Sequence, residues 1–262
     1  MYLVFSFLLL LVFPANARSA EVAKFSHAPF TKNKNTLLSI DGFDPAQSGT
    51  RIVYFHGHNQ TLEDVRRDIA QQVEFADLNA VLIAPRLFNG KVGKFVQEGF
   101  FAKYMREASE KLAAMAGDAT SPDAFEQMPV IVVFYSGGYK QAKNVLKHGG
   151  DALKHVRGVV NFDGAYNSQK QFAEWIGGRK NDTFFVSIVA ETGWRNEQLK
   201  NLLRNKNIGF AEQIPDSLCA GDIIFADMPD AVGHFTITKR AWIINPLKDL
   251  LDRIYRCSTQ TQ

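Results

Sequence analysis

The sequence predicts an α/β fold, a three-layer sandwich whose mostly parallel sheet carries helices on both faces. Three observations support this. Apolar runs of strand length recur along the chain, they are continuous rather than alternating, and stretches of helical periodicity separate them. Continuous runs belong to strands covered on both faces, and strand–helix alternation builds right-handed βαβ units.

The strand-like runs fall at 51–55 (RIVYF), 80–84 (AVLIA), 130–135 (VIVVFY), 156–162 (VRGVVNF), 183–189 (TFFVSIV) and 222–226 (DIIFA), and 36–40 adds a prospective edge strand. A first helix is expected over 61–75, where Thr61 stands three residues before Asp64 as an N-cap pair. Residues 97–115 carry apolar side chains at helical spacing, 139–147 follow the third clear strand, and 241–255 read as a closing amphipathic helix. The segment 165–182 is short, so any cap over a site is small. No Pro/Gly/Ser linker and no repeat divides the chain, so residues 20–262 are expected to form one domain.

Composition narrows the function classes. Of 262 residues, 46% are hydrophobic and 22% charged, which excludes a disordered chain. Lys and Arg number 30 against 27 Asp and Glu, a net charge of +3. The lysines are scattered rather than striped, so a nucleic-acid partner is not expected.

Met1 to Phe13 is an almost unbroken apolar run (MYLVFSFLLLLVF), followed by Pro14 and Ala15-Asn16-Ala17. This is the layout of an export signal, residues 1–17, with cleavage after Ala17 or Ser19. The run is too short for a membrane span, which needs about 20 residues. No Lys or Arg precedes it, which leaves an uncleaved anchor as the alternative. An exported chain, periplasmic or secreted, meets an oxidising compartment, where its two cysteines, Cys219 and Cys257, have one possible pairing. Two buried thiols are the other option.

The segment that carries chemistry is VIVVFYSGGYKQAKNVL, which places Ser136 at a strand-to-helix turn before Gly137 and Gly138. A sharp turn there lifts a serine hydroxyl above the sheet, and glycines let strand and helix approach. The Gly137 N–H, at a helix start, would face a developing oxyanion. A Gly-rich turn that binds phosphate is the competing reading, although such loops are longer. Upstream, 51–60 (RIVYFHGHNQ) ends a strand with His56-Gly57-His58. A zinc site at His56-x-His58 lacks a third ligand at metal spacing. Downstream, 225–237 (FADMPDAVGHFTI) puts His234 in a loop after the last strand.

With these segments in this order, the chain resembles the α/β-hydrolase superfamily over nearly all of its length beyond residue 20. The resemblance implies a serine hydrolase acting on an ester, thioester or amide through an acyl-serine, with Ser136 as nucleophile and His234 as base. It implies an oxyanion hole from Gly137 and the Gly57–His58 loop, and no metal or organic cofactor. The pattern G-x-S-x-G is met only in part, because Phe134 stands where a small residue is usual. For the acid, the resemblance leaves Glu191 in VSIVAETGW and Asp163 in VVNFDGAYN nearly equal, with a lean to Asp163; Asp227 and Asp230 fit less well. Tyr135, Tyr139, Tyr166, Trp194 and Phe235 fall near the expected rim, and Arg86 follows the second clear strand. The partner is then a small-molecule or cell-envelope acyl substrate. A non-catalytic binding protein on the same scaffold, for which Phe134 argues, is the second class.

Overall fold

The computed structural model describes residues 20–31, 34–88 and 91–260; the expected export signal lies outside them. One sheet contains β1 Ala20–Lys24, β2 Asn35–Ser39, β3 Thr50–Phe55, β4 Ala80–Pro85, β5 Val130–Tyr135, β6 Val156–Phe162, β7 Phe184–Val189 and β8 Ile223–Asp227. Their spatial order is β1-β2-β4-β3-β5-β6-β7-β8. Pairing is parallel from β4 through β3 to β8, and antiparallel for β1 with β2 and β2 with β4.

The continuous apolar runs explain the layers. Every residue of β3, β4, β5 and β7 is buried. Side chains alternate across a strand, so Val130, Val132 and Phe134 enter one core while Ile131, Val133 and Tyr135 enter the other. The first core is covered by helices Phe100–Ala116, Tyr139–His148, Gln169–Arg179 and Gly193–Arg204. The second is covered by the helix over 62–74 and by Pro246–Gln260.

Some boundaries differ from expectation, each for a physical reason. The strand expected at 36–40 spans Asn35–Ser39 and is not an edge, because β1 pairs along it. The charged strand AEVAK, with its alternate residues exposed, has no apolar run to announce it. The closing helix begins at Pro246, not at 241. Asn245 takes φ 60, a left-handed conformation that breaks any helix running into it and that Asn tolerates, and Pro246 then suits the first helical position. Helix Gln169–Arg179 lies in the segment expected to hold a small cap, yet it buries Phe172, Ala173 and Ile176 against the sheet. It is a crossover helix.

At the helix over 62–74, the Thr61 hydroxyl accepts from the Asp64 N–H, and the Asp64 carboxylate accepts from the Thr61 N–H at 2.8 Å. At the other end of the chain, the Cys219–Cys257 disulfide ties the turn before β8 to the closing helix, with Cα atoms 5.5 Å apart. Closing a loop of 38 residues restricts the unfolded chain by about 4 kcal/mol on the chain-entropy model. Replacing both cysteines by alanine is expected to lower the unfolding free energy by about that amount in urea titrations. An unchanged midpoint would show that the bond constrains nothing.

Candidate active site

Parallel strands deliver their C-terminal loops to one edge of the sheet, and register brings particular residues together. Phe55 of β3 pairs with Phe134 of β5, so His56-Gly57-His58 and Tyr135-Ser136-Gly137 leave the sheet side by side. Phe162 of β6 pairs with Tyr135 and with Ile188 of β7, placing Asp163 and the 190–192 loop next in line.

Ser136 adopts φ 49, a left-handed conformation that costs a non-glycine residue strain. The turn is possible because Gly138 packs against the Phe55 carbonyl, where a Cβ would collide. His234 Nε2 lies 2.9 Å from Ser136 Oγ, and His234 Nδ1 lies 2.6 Å from Asp163 Oδ2. A carboxylate can only accept, so Nδ1–H donates to Asp163 and Nε2 is left to accept from the serine hydroxyl.

Asp163 is fully buried and also takes the left-handed region, at φ 47. Its carboxylate accepts from the N–H groups of Ala190, Glu191 and Thr192 at 3.0–3.3 Å and from the Thr192 hydroxyl at 2.5 Å. Burial works to raise its pKa, but bonds from His234 and Thr192 outweigh it and hold the carboxyl below the usual value. Glu191 occupies a different place. Its Oε1 accepts from the His234 backbone N–H at 3.0 Å, so it holds the histidine's main chain rather than its ring.

Phe134 does not open the elbow. Its ring is fully buried and stacks on Phe172 at 5.4 Å with planes 7° apart. Gly164 makes the space, since a Cβ there would lie 3.0 Å from Phe134 and 2.8 Å from the Ser136 carbonyl. The small residue usual two positions before the serine is thus replaced by a glycine on the next loop.

His58 packs its ring against Gly137. The Gly57 N–H donates to Gln60 Oε1 at 3.1 Å, so of the three residues expected around an oxyanion, Gly57 is not a free donor. His56 is buried and bridges two loops: Nδ1–H donates to the Gly57 carbonyl at 2.8 Å and Nε2 accepts from the Leu87 N–H at 2.9 Å. Burial pulls its pKa down to about 4 despite the Gly57 bond. It serves as a neutral brace, and no group of His, Cys, Asp and Glu among the described residues could hold a metal ion.

Several positioning residues carried no motif in the sequence. Tyr135 OH donates to the His234 carbonyl at 3.0 Å. Asn161 Oδ1 accepts from the Gly164 N–H at 2.7 Å, and its amide donates to Ser187 Oγ, which donates to Asn196. Buried Gln72 donates to the Thr238 carbonyl at 2.8 Å and accepts from the Leu247 N–H, fixing the far end of the histidine loop. A polar residue inside an apolar strand, such as Asn161 in VVNF, is a sequence signal that could have found one of them. Of the expected rim residues, Phe235 and Trp194 are exposed, Tyr135 is buried, and Tyr139 packs on Tyr166 at 5.7 Å. Arg86 lies close enough to His56 to help keep it neutral.

No protein-family model and no curated protein matches the chain. Solved structures do. The chain is similar to the feruloyl esterase module from Clostridium thermocellum at 13% identity, over 90% of this chain and 88% of that one, with TM-score 0.53. It is similar to Thermogutta terrifontis esterase 2 at 13% identity, over 96% and 98%, with TM-score 0.54. It is also similar to FphF, a fluorophosphonate-binding serine hydrolase from Staphylococcus aureus, at 10% identity over 84% and 96%, with TM-score 0.50. At such identities the likeness is one of fold. The chain has the α/β-hydrolase fold.

Two stability experiments follow from this geometry. Restoring the usual small residue with Phe134→Gly is expected to cost about 4 kcal/mol, because it empties a packed site; a neutral or stabilising effect in urea titrations would contradict the packing account. For His56, the unfolded side chain titrates near 6.5 and the folded one near 4. Protons therefore bind the unfolded chain first as pH falls, so stability is full above the unfolded value, declines between the two, and levels off below. His56 is expected to remove roughly 2–3 kcal/mol between pH 7 and pH 4.5. His56→Gln should flatten that part of the profile, and an equally steep loss in the variant would exclude His56 as its source.

Proposed function

We propose that the protein is an exported serine hydrolase that cleaves an ester or amide bond through an acyl-serine intermediate. The single observation that carries this reading is the hydrogen-bonded series from Ser136 Oγ through His234 to Asp163, at 2.9 and 2.6 Å. A serine on a strained turn, a base within proton-transfer distance and a buried carboxylate that sets the base's tautomer are what nucleophilic acyl transfer needs.

In the first half-reaction His234 Nε2 takes the Ser136 proton as Oγ bonds to the carbonyl carbon. The carbonyl oxygen becomes an oxyanion, stabilised by the N–H groups of Gly137 and His58; one such donor is worth about 3 kcal/mol. Asp163 stabilises the imidazolium. His234 then gives its proton to the leaving oxygen or nitrogen as the bond to the acyl carbon breaks. Water, deprotonated by the same histidine, releases the acid and restores Ser136. Asp163 is the acid in this scheme, and Glu191 positions the loop.

Export is supported by the apolar leader and by a disulfide that an oxidising compartment would preserve. Among the described residues no helix is long and apolar enough to cross a membrane. An acyl substrate of the cell envelope fits that location. Phe134, the residue that favoured a binding protein, is accommodated by Gly164 and Phe172 while Ser136 keeps its turn.

A fluorophosphonate probe is expected to label the protein and to fail on Ser136→Ala. Asp163→Asn should lower kcat on p-nitrophenyl acetate by about 10³–10⁴, whereas Glu191→Gln should lower it by only about tenfold. No labelling of folded protein would refute acyl-serine chemistry, and the reverse order of the two carboxyl variants would exchange their roles.

A further inference from the structure

A cleft of about 330 Å³ opens beside Ser136 and His234, between the helix over 62–74 and the loop that carries the histidine. Most of the side chains that line it carry polar groups. Asn59, Gln60, Asp64, Arg67, Asp68 and Lys239 face it, and no Leu, Ile, Val or Met side chain does so among the described residues. Besides the histidines, its aromatic side chains are Tyr135 and Phe235. Phe235 is 73% exposed and stands edge-on to the His234 ring at 5.4 Å.

The charges in the cleft are already matched. Arg67 donates to Asp64 at 2.9 Å and to both oxygens of Asp68 at 2.8 and 2.9 Å, while Lys239 Nζ reaches Asp68 Oδ2 at 2.9 Å. Two cations and two anions cancel, so neither a charged acyl chain nor a charged leaving group gains from the local field. What remains is a set of donors and acceptors. Part of it stands on Arg66–Ala70, which is wound as a π-helix, a distortion that recurs at functional sites. The Asp68 carbonyl accepts from the Gln72 side chain at 2.6 Å, which holds Asp68 and Arg67 in place. An alkyl chain would desolvate these groups without replacing their hydrogen bonds. A ring bearing hydroxyls would exchange them, with its C–H face against Phe235.

Resting on the acyl-serine reading above, we infer that this cleft is the alcohol subsite and that it takes a carbohydrate, so that the substrate is an O-acylated sugar. The subsite adjoins His234, which must protonate the departing oxygen. In the step concerned, Ser136 Oγ bonds to the acyl carbon, the bond from that carbon to the sugar oxygen breaks, and His234 passes its proton to that oxygen. Water then cleaves the acyl-serine, so that the sum is ester plus water to acid plus sugar hydroxyl.

The test uses Ser136→Ala, which binds without turnover, titrated calorimetrically with O-acetylated xylotetraose and with an O-acetylated N-acetylglucosamine tetramer. Hexyl acetate serves as the control. Submillimolar binding of at least one sugar ester is expected, weakened at least tenfold when Phe235→Ala is added. Wild-type kcat/KM on the bound sugar ester should exceed that on hexyl acetate at least tenfold. Binding of the first sugar alone would place the substrate among polysaccharide esters, and of the second alone among envelope glycans. Binding of neither, or hexyl acetate turned over as well as the sugar esters, would overturn the carbohydrate subsite. Failure of the fluorophosphonate probe would instead strike the acyl-serine reading, and the titrations are read independently of it.

Discussion

The buried carboxylate of Asp163 is the group on which the geometry of the site depends. An ion taken out of water loses several kcal/mol of solvation, and only a full set of hydrogen bonds makes its burial tolerable. Asp163 obtains that set from the 190–192 backbone, the Thr192 hydroxyl and the His234 ring. Two loops from different strand ends are thereby drawn to one point, and His234 is turned so that its other nitrogen meets Ser136. Asn161 supports the same turn from below by binding the Gly164 N–H. The chain of Asn161, Ser187 and Asn196 runs from β6 across β7 to the helix Gly193–Arg204, so the carboxylate's seat is tied to the sheet and to a covering helix.

The elbow illustrates a local rule broken and a distant residue that repairs it. A large ring at position 134 conflicts with a tight strand-to-helix turn if the neighbouring loop carries a side chain. Gly164 removes that side chain, and Phe172 supplies a flat surface for the ring. Ser136 and Asp163 both sit in the left-handed region, on adjacent loops. Strain at two such points persists only where the surroundings over-determine it, and here the buried polar network and the packed phenylalanines do so together.

The cleft side of the site is built on a different principle from the core. The core is close-packed phenylalanine and β-branched side chains. The cleft is an arrangement of matched charges on a π-wound turn, with one exposed aromatic ring at its mouth. Lys239 joins the histidine loop to that turn through Asp68, and Gln72 joins the turn to the closing helix. The disulfide anchors that helix to the start of β8, the strand that leads into the histidine loop. Parts of the chain remote in sequence therefore share responsibility for where His234 sits.

Continuous apolar runs made the parallel strands readable from the sequence, because burial on both faces leaves no room for polar alternation. That Ser136 and His234 each follow a strand was readable as well, because an apolar run ahead of each marks the strand. The charged outer strand Ala20–Lys24 was not readable, since its stability comes from pairing with β2 rather than from its own composition. Choosing between Asp163 and Glu191 also lay beyond the sequence. Both follow strands that end at the same edge, and the distinction is whether a side chain reaches the imidazole or the backbone of His234. Strand register decides that. The polar cleft belongs to tertiary structure for the same reason: Lys239 lies far along the chain from Arg67 and Asp68, and only packing of the histidine loop against the helix over 62–74 brings its charge within reach of Asp68.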